Sequence, residues 1–209
     1  MFEQRSPLAT HLAAGGRDGA GGGRGLRIGE VRGFQLLQIG VLRGSGAALG
    51  AAIEAACGCA PPDSARLVSV CGAHRLYRIA ADQFWIASAD PQLPPALERL
   101  VTPQLGTLTV LTHARIRLAI EGAAAAALLA KLVTVDLRPK ALPVGAFAQT
   151  AVHHAGVLLE HGGVQRYELY VLHTYAASTW DWILDAAMPY GYDLHVAHIA
   201  QQPGVQQRS

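Results

Sequence analysis

Length, composition and charge narrow the possible classes of protein before any motif is considered. The chain has 209 residues, of which 51% are apolar and 15% charged, and its formal net charge is +2. This length suits one large domain or two small ones with a real hydrophobic core. The small net charge argues against a nucleic-acid-binding protein, and the apolar runs are shorter than the roughly 18 residues of a membrane helix.

The N-terminus and the cysteines predict a reducing, cytoplasmic setting. The first 25 residues lack a basic segment followed by a long apolar core, so we expect no signal peptide. Cys57, Cys59 and Cys71 are odd in number and have neither the spacing of a disulfide framework nor a C-x-x-C motif. We therefore expect reduced thiols and a cytoplasmic location.

The chain begins with a glycine-rich segment that two strands follow. Residues 1–25 end in GGRDGAGGGRG, which predicts a flexible arm because it offers few side chains that can pack. The segment lacks the G-K-[ST] ending of a phosphate-binding loop. Strands are predicted over 26–31 and 34–42, and apolar residues on both faces of the second indicate an inner strand.

A helix is predicted over 46–57. Ser45 can cap its N-terminus, and Gly58 is a natural end for it. Three apolar side chains recur at the i, i+4, i+8 spacing of one helix face: Leu49, Ile53 and Cys57.

Strand pairs and helices alternate through the middle of the chain. A short helix is expected to start near Pro94 and to carry Leu97 and Leu100, and an alanine-rich helix of about ten residues follows Gly122. Strands are predicted over 66–71, 74–80, 84–88, 106–111 and 114–120. Core side chains are expected from these strands, namely Leu67, Val68, Val70, Leu76, Ile79, Trp85 and Ile86. The last strand alternates, with Ile116, Leu118 and Ile120 on an apolar face and Arg115, Arg117 and Ala119 on the other.

The segment 131–160, KLVTVDLRPKALPVGAFAQTAVHHAGVLLE, is the expected centre of the domain. A turn at Asp136 leads to a second turn, for which Gly145 is expected to supply a positive φ. A strand over 146–152 and a second apolar strand follow. A strand over 166–172, a helix over about 175–188 capped by Thr174, and a short strand over 193–197 complete the prediction.

The recurring unit of two strands and a helix predicts an α+β fold, with antiparallel sheets on which helices pack. We expect a single domain over 26–199, made of two strand-strand-helix halves at about 26–104 and 105–199. Residues 200–209 are expected to be a frayed tail.

A glycine-rich turn, Gly44–Gly50, is the nearest approach to a nucleotide-binding motif. It follows a strand and opens a helix, but its spacing is G-x-G-x-x-x-G, and Asp63 precedes the next strand instead of ending it. We interpret it as a tight turn between a strand and a helix.

Histidines and acids show no catalytic or metal-binding pattern. His153 and His154 are adjacent, so in a strand they point to opposite faces. His195 and His198 have no carboxylate or thiol at a spacing that would complete a zinc site. The sequence thus predicts no catalytic, cofactor-binding or metal-binding residue on this chain.

The last long helix carries a candidate partner interface. At about 100° per residue, Tyr175 and Trp182 lie opposite the apolar stripe, with polar neighbours, which is typical of an interface anchor. The alternative is that residues 192–199 fold back and cover them. The stripe itself is expected in the core and consists of Ala176, Trp180, Ile183, Leu184 and Ala187.

Several segments between Tyr77 and Gly191 resemble the gamma subunit of heterotetrameric sarcosine oxidase. They are LYRIAADQFWIAS, THARIRLAIEG, VDLRPKALPVGAFAQTAVHHAGVLLE and the helix around STWDWILDAA, and the opening RSPLATHLA is also similar. The positions that carry the resemblance most specifically are Asp136, Leu137, Pro139, Gly145, Gln149, Thr150 and Trp180.

The resemblance implies a fold similar to the folate-binding domain of the glycine-cleavage T-protein. It also implies an accessory subunit, assembled with alpha, beta and delta subunits, of a flavoenzyme that oxidatively demethylates sarcosine to glycine. Tetrahydrofolate would accept the one-carbon unit and hydrogen peroxide would be released. FAD, FMN, NAD and the folate site would belong to the alpha and beta subunits and zinc to the delta subunit, with none on this chain. Two alternatives stay open: a folate-dependent, aminomethyltransferase-like protein acting alone, and a non-enzymatic interaction module.

Overall fold

The structure is a computed structural model, and it describes residues 6–12 and 15–198. The chain forms two compact units. Unit 1 contains the described residues up to Arg32 together with Thr112–Ala197, and unit 2 contains Gly33–Leu111 and His198. The chain thus leaves unit 1 after Arg32 and returns to it at Thr112, whereas the predicted halves meet once, near residue 104. The expectation of one domain over 26–199 stays a prediction.

Strand pairs followed by a helix recur along the chain, so the predicted α+β class is confirmed. The helices are α1 (Gly46–Cys57), α2 (Leu93–Leu100), α3 (Ala125–Leu129) and α4 (Ala176–Ala187), with 3₁₀ turns at His173–Tyr175 and Met188–Tyr190. The strands of the described residues, in chain order, are β1 (Gly16–Arg17), β2 (Leu26–Arg32), β3 (Gln35–Val41), β4 (Val68–Cys71), β5 (His74–Ala80), β6 (Gln83–Ser88), β7 (Gly106–Val110), β8 (Arg115–Glu121), β9 (Phe147–Val152), β10 (Ala155–Gly163), β11 (Arg166–Leu172) and β12 (Tyr192–His198).

Unit 1 is built on a seven-stranded sheet in the order β1-β12-β2-β8-β11-β10-β9. From β2 to β9 all neighbours are antiparallel, and Leu169 at the centre of β11 lies opposite both Leu118 and Leu159. Side chains of one sheet face join those of α3 and α4 in one apolar core, in which Trp180 and Leu128 are fully buried. Burying these apolar surfaces is the main source of the unit's stability.

Unit 2 is built on a five-stranded antiparallel sheet in the order β4-β5-β6-β3-β7. Its core is formed by one face of this sheet and by α1 and α2, and the predicted α1 stripe of Leu49, Ile53 and Cys57 is buried there. Gly58 ends α1 with a φ of 78°, as its C-cap position requires.

The strands near the centre of unit 1 differ from the predicted alternation of polar and apolar faces. Every residue of β8 from Ile116 to Ile120 is buried, including Arg117, which is 4% exposed. Arg117 pairs with Glu168 on the neighbouring strand β11, so its charge is compensated inside the protein. The prediction of a polar face on this strand is therefore wrong.

Three expectations about side chains in unit 2, at Ser45, Leu67 and Val70, also need correction. Ser45 is the N-cap residue of α1, as expected, but its side chain makes no capping hydrogen bond, and its hydroxyl donates to the Gln104 carbonyl at 3.0 Å. Leu67 and Val70 are exposed, since β4 is the outermost strand of its sheet. Leu100, at the last position of α2, is also exposed.

Three further expectations, on helix lengths and cysteines, need correction. The helix after Gly122 has five residues rather than about ten. The 3₁₀ turn at His173–Tyr175 places Tyr175, not Thr174, at the N-cap of α4. Cys59 and Cys71 form a disulfide, so the expectation of reduced thiols holds only for the buried Cys57.

The glycine-rich N-terminal segment is anchored where the structure describes it, contrary to the expected flexible arm. Leu8 is fully buried in the core of unit 1, and the Ser6 hydroxyl contacts the Glu30 carboxylate at 2.7 Å. The short strand β1 pairs with β12, and the Gly25 amide donates to the Tyr190 carbonyl at 3.0 Å. Backbone pairing substitutes here for the side-chain packing that glycines cannot provide. The first five residues, 13–14 and the predicted tail at 200–209 lie outside the described residues.

No helix in the described part of the chain is long and apolar enough to cross a membrane.

Candidate functional site

The carboxylate of Asp136 stabilises the turn that begins at this residue. The Asp136 carboxylate accepts hydrogen bonds from the Arg138 backbone amide at 2.9 Å and from the Arg138 guanidinium at 2.6 Å. These contacts hold the pKa of Asp136 well below its usual range, at about 2. A carboxylate bound to the amide two residues later is an Asx turn, which explains why the chain reverses here. Leu137 points the other way and is buried in the core of unit 1.

A second turn, at Gly145, fastens this loop to the sheet. Gly145 has a φ of 82°, so the predicted positive φ is confirmed. Its amide donates to the His161 carbonyl at 2.8 Å, and the His161 amide donates to the Ala146 carbonyl at 2.9 Å. A Cβ added at Gly145 would meet no atom within 4 Å, so the left-handed backbone is what favours glycine here.

The remaining residues of the resemblance lie on separate elements. Gln149 and Thr150 are in β9, the edge strand of the unit 1 sheet, where they lie opposite Leu158 and Val157. Trp180 is on α4, in the core. The structure therefore brings Asp136, Leu137, Pro139 and Gly145 together in one loop, and distributes the others along the sheet and the last helix.

An apolar pocket of about 360 Å³ lies beside this loop, within unit 1. The start of the α3 segment, the loop between the two turns and the β10–β11 hairpin form its walls. The lining residues are Gly122, Ala123, Ala126, Pro139, Pro143, Val144, His161, Val164, Gln165 and Tyr167. Three regions that are distant along the chain thus build one concave site.

Two stacked rings and the Gln165 side chain form the polar part of this pocket. The His161 and Tyr167 rings are 4.4 Å apart between centroids and inclined by 10°. The Nδ1 atom of His161 is 2.8 Å from the Leu142 carbonyl oxygen, which only accepts hydrogen bonds, so Nδ1 is the donor. Burial raises the pKa of Tyr167. Sequence reasoning missed this site, although period-two alternation along β10 places His161 on the same face as Val157 and Leu159.

The last helix buries its predicted stripe almost as expected. Ala176, Trp180, Ile183 and Ala187 are buried, whereas Leu184 is half-buried and Thr179 is buried in addition. The indole Nε1 of Trp180 has no hydrogen-bond partner among the described residues. The ring is therefore held by packing alone.

Tyr175 and Trp182 belong to a cluster of rings at the surface of unit 1. The Trp182 ring lies 4.7 Å from His153 and 5.1 Å from His154, in edge-to-face orientations, and Tyr175 lies 5.5 Å from His154. Both aromatic rings are half-buried and both histidines are exposed. We call these four residues the aromatic surface. The ring contacts of Trp182 come from the turn between β9 and β10.

Ion pairs link the adjacent strands β8 and β11 of unit 1. Glu168, which is 2% exposed, contacts both Arg117 and Arg166. Arg166 also pairs with Glu121 at 2.5 Å, and the Arg117 guanidinium lies over the Tyr170 ring. Charge-assisted contacts of a carboxylate with two guanidinium groups are among the stronger polar interactions in a protein. This network joins β8 to β11 and acts as structure.

The structure does not support the metal-binding and nucleotide-binding patterns that were considered in the sequence. Gly46–Gly50 lies inside α1, and Asp63 is exposed in the loop before β4. Among the described residues, no group of three or more histidines, cysteines or acids is placed to hold a metal ion. The prediction that this chain binds no metal or cofactor stays a prediction.

Comparison with known proteins places this architecture in a family. The model of the GCVT N-terminal domain matches residues 73–199. A solved chain of the heterotetrameric sarcosine oxidase from Corynebacterium sp. U-96, in complex with pyrrole 2-carboxylate, is 26% identical, with a TM-score of 0.79 over 90% of this chain and 96% of that one. The glycine cleavage system aminomethyltransferase T from Bartonella henselae is 14% identical and shares the fold, with a TM-score of 0.60 over 91% of this chain and 57% of that one. No curated protein matches the sequence. Because the family model covers more than half of its residues, the chain belongs to the GCVT N-terminal domain family.

Proposed function

We propose that this chain is the accessory, gamma-type subunit of a sarcosine oxidase-type heterotetrameric flavoenzyme. The complex oxidatively demethylates sarcosine to glycine, passes the one-carbon unit to tetrahydrofolate and releases hydrogen peroxide. The alpha, beta and delta subunits hold the flavins, NAD, folate and zinc. This chain contributes to the assembly and not to the chemistry.

One observation carries the proposal: the similarity to a chain of heterotetrameric sarcosine oxidase extends over 90% of this chain and 96% of that chain. Correspondence over nearly the whole of both chains supports the same type of subunit, and not merely a shared module. By contrast, the similarity to aminomethyltransferase T covers only 57% of that protein's chain. The pairing of Glu168 with Arg117 and Arg166 fits a structural role of that carboxylate within the sheet.

The aromatic surface is the part of unit 1 that we assign to a partner subunit. Trp182 and Tyr175 are large, half-buried rings, and exposed Asp181 and Asp185 flank them on α4. Aromatic anchors bordered by polar groups are the usual centres of binding energy in protein interfaces. Loss of Trp182 is therefore expected to weaken assembly by roughly 2 kcal/mol, or about 30-fold in Kd.

Co-expression with the alpha, beta and delta oxidase subunits of the same organism tests the proposal. The expected result is a heterotetramer by native mass that releases hydrogen peroxide in the presence of sarcosine. Trp182→Ala should weaken its assembly, whereas Tyr190→Ala, which removes a half-buried ring outside the aromatic surface, should not. A chain that stays separate from these subunits would contradict the assigned role, and equal effects of the two variants would place the interface elsewhere.

The isolated chain provides a second, independent test. We expect a visible absorption spectrum without bands, since the cofactors are assigned to the partner subunits. A flavin band that remains with the isolated chain through dialysis would contradict the accessory role.

Membership of the GCVT N-terminal domain family favours one alternative, a folate-dependent protein acting alone. Titration of the isolated chain with tetrahydrofolate separates the two functions. Saturable binding without partner subunits would favour the alternative, and its absence together with assembly would favour the accessory subunit. An interaction module outside any oxidase would assemble without sarcosine-dependent peroxide release.

A further inference from the structure

The apolar pocket beside the Asp136 turn has no part in the proposed function. Its volume of about 360 Å³ falls at the lower end of the roughly 300–1,000 Å³ that is usual for small-molecule sites. We propose that this pocket binds an uncharged, planar aromatic compound of one or two rings that carries an N–H or O–H donor.

Contacts within the chain hold the walls of the pocket in place. Pro139 and Pro143 restrict the backbone of one wall, and the contact between Arg138 and Asp136 closes the turn that begins it. The backbone bonds between Gly145, Ala146 and His161 tie this wall to β10. A site that is formed in advance loses little conformational entropy when it binds, so even a small ligand retains useful affinity.

The stacked rings select the shape of the ligand. His161 and Tyr167 are nearly parallel and almost fully buried, with only 7% and 4% of their surfaces exposed. Aromatic rings bind other planar rings by offset stacking or by edge-to-face contact. Apart from Gly122 and the amide of Gln165, the rest of the lining comes from alanine, proline and valine, which favours an apolar ring over a flexible polar chain.

The orientation of His161 selects the polar group of the ligand. Since Nδ1 donates to the Leu142 carbonyl, the other nitrogen of a neutral ring, Nε2, is a hydrogen-bond acceptor. A ligand that places an N–H or O–H group there gains a hydrogen bond inside an apolar pocket, and a ligand without a donor leaves the acceptor unpaired.

The lack of Lys, Arg, Asp and Glu in the lining disfavours charged ligands. None of the ten lining residues is Lys, Arg, Asp or Glu. Phosphorylated or carboxylate-bearing compounds would therefore enter an apolar space without a counter-charge, which is costly. Val144 and Val164 are exposed by 53% and 86%, so the mouth of the pocket is open to solvent and apolar.

Binding of indole to the isolated full-length chain, measured by calorimetry and by chemical-shift mapping, tests the proposal. Indole has the required ring and N–H donor, and 1-methylindole has the same ring without the donor. We expect saturable indole binding, shifts centred on Ala126, Val144, His161 and Val164, and binding of 1-methylindole that is weaker by about fivefold or more. Equal binding of the two compounds would overturn the assigned donor, and shifts away from the pocket would overturn the site.

Two alanines of α3 provide a matched pair of variants. Ala126 lines the pocket, whereas Ala127 is exposed on the same helix and does not. Ala126→Leu should weaken indole binding by about tenfold or more because the added side chain fills the pocket, and Ala127→Leu should leave it unchanged. If Ala126→Leu fails to fold, the shift map of the unaltered chain decides the question.

A side chain of a partner subunit is the competing occupant. If indole does not bind, yet Ala126→Leu prevents assembly with the oxidase subunits and Ala127→Leu does not, the pocket receives a protein side chain and the small-molecule assignment is wrong. Indole binding is measured on the isolated chain, so its failure is distinct from a failure of the proposed subunit role, which is measured by assembly.

Discussion

Replacing Trp180 with alanine removes the largest fully buried side chain of the described structure. The ring is 0% exposed and is surrounded by the apolar core of unit 1. Deleting it withdraws roughly 150–200 Å² of apolar surface, or about 4–5 kcal/mol at about 25 cal/mol per Å². This agrees with the roughly 3–5 kcal/mol that is typical of a large aromatic deletion in a core.

Urea unfolding followed by circular dichroism measures this free energy of unfolding, with two variants as controls. Trp180→Phe should cost only about 1–2 kcal/mol, because Nε1 of Trp180 has no hydrogen-bond partner to lose within the described residues. Trp182→Ala should cost about 1–2 kcal/mol, since its ring is half-buried and contacts exposed histidines. If Trp182→Ala unfolds as early as Trp180→Ala, both rings are core and the aromatic surface is no interface. A Trp180→Ala cost below about 1 kcal/mol would refute the burial argument itself.

Three further predictions concern a turn, a carboxylate and a thiol. Gly145→Ala should lower the free energy of unfolding by about 1–2 kcal/mol because residue 145 has a left-handed backbone conformation. Gly156→Ala is the control, since an added Cβ also meets open space there, and it should not lower this free energy. Equal melting temperatures of the two variants would show that the turn is unstrained. The pKa of Asp136 is lowered by Arg138 to about 2, so the ionised form stabilises the fold above about pH 5 and this contribution is lost as the pH falls toward 2. Asp136→Asn should therefore melt earlier than the unaltered chain at pH 6 and together with it near pH 2, and a constant difference would contradict the shift. Burial raises the pKa of Cys57 to about 12, so a thiol reagent at pH 8 should modify it only after unfolding; rapid labelling of the native chain would contradict its burial.

The sequence predicted well those features that depend on residues close together along the chain. The buried stripe of α1 follows from the 3.6-residue period of a helix, and Gly58 and Gly145 adopt positive φ at the turns where they were expected. Similar reasoning located most strands to within about two residues, the usual uncertainty of element ends. Local backbone preference and periodicity need only a few consecutive residues, so they can be read before the fold is known.

Burial of charge and exposure of apolar side chains were not predictable in the same way. Arg117 was expected on a polar face but is buried, because its partner Glu168 lies 51 residues later on the adjacent strand. Val70 was expected in the core but is exposed, because β4 lies at the edge of its sheet. In both cases the type of residue does not determine whether its side chain is buried. The neighbouring strand, or its absence, determines whether water reaches the side chain.

The sequence by itself determined the class of the fold, the main helices and strands, the two glycine turns and the family resemblance, since each depends on residues close together along the chain. Tertiary structure alone decided the division into units at Arg32 and Thr112, the disulfide between Cys59 and Cys71, and the pocket lined by His161 and Tyr167. These features join segments that are far apart in sequence. Their geometry depends on sheet order and strand register, which the pattern of a single segment does not contain.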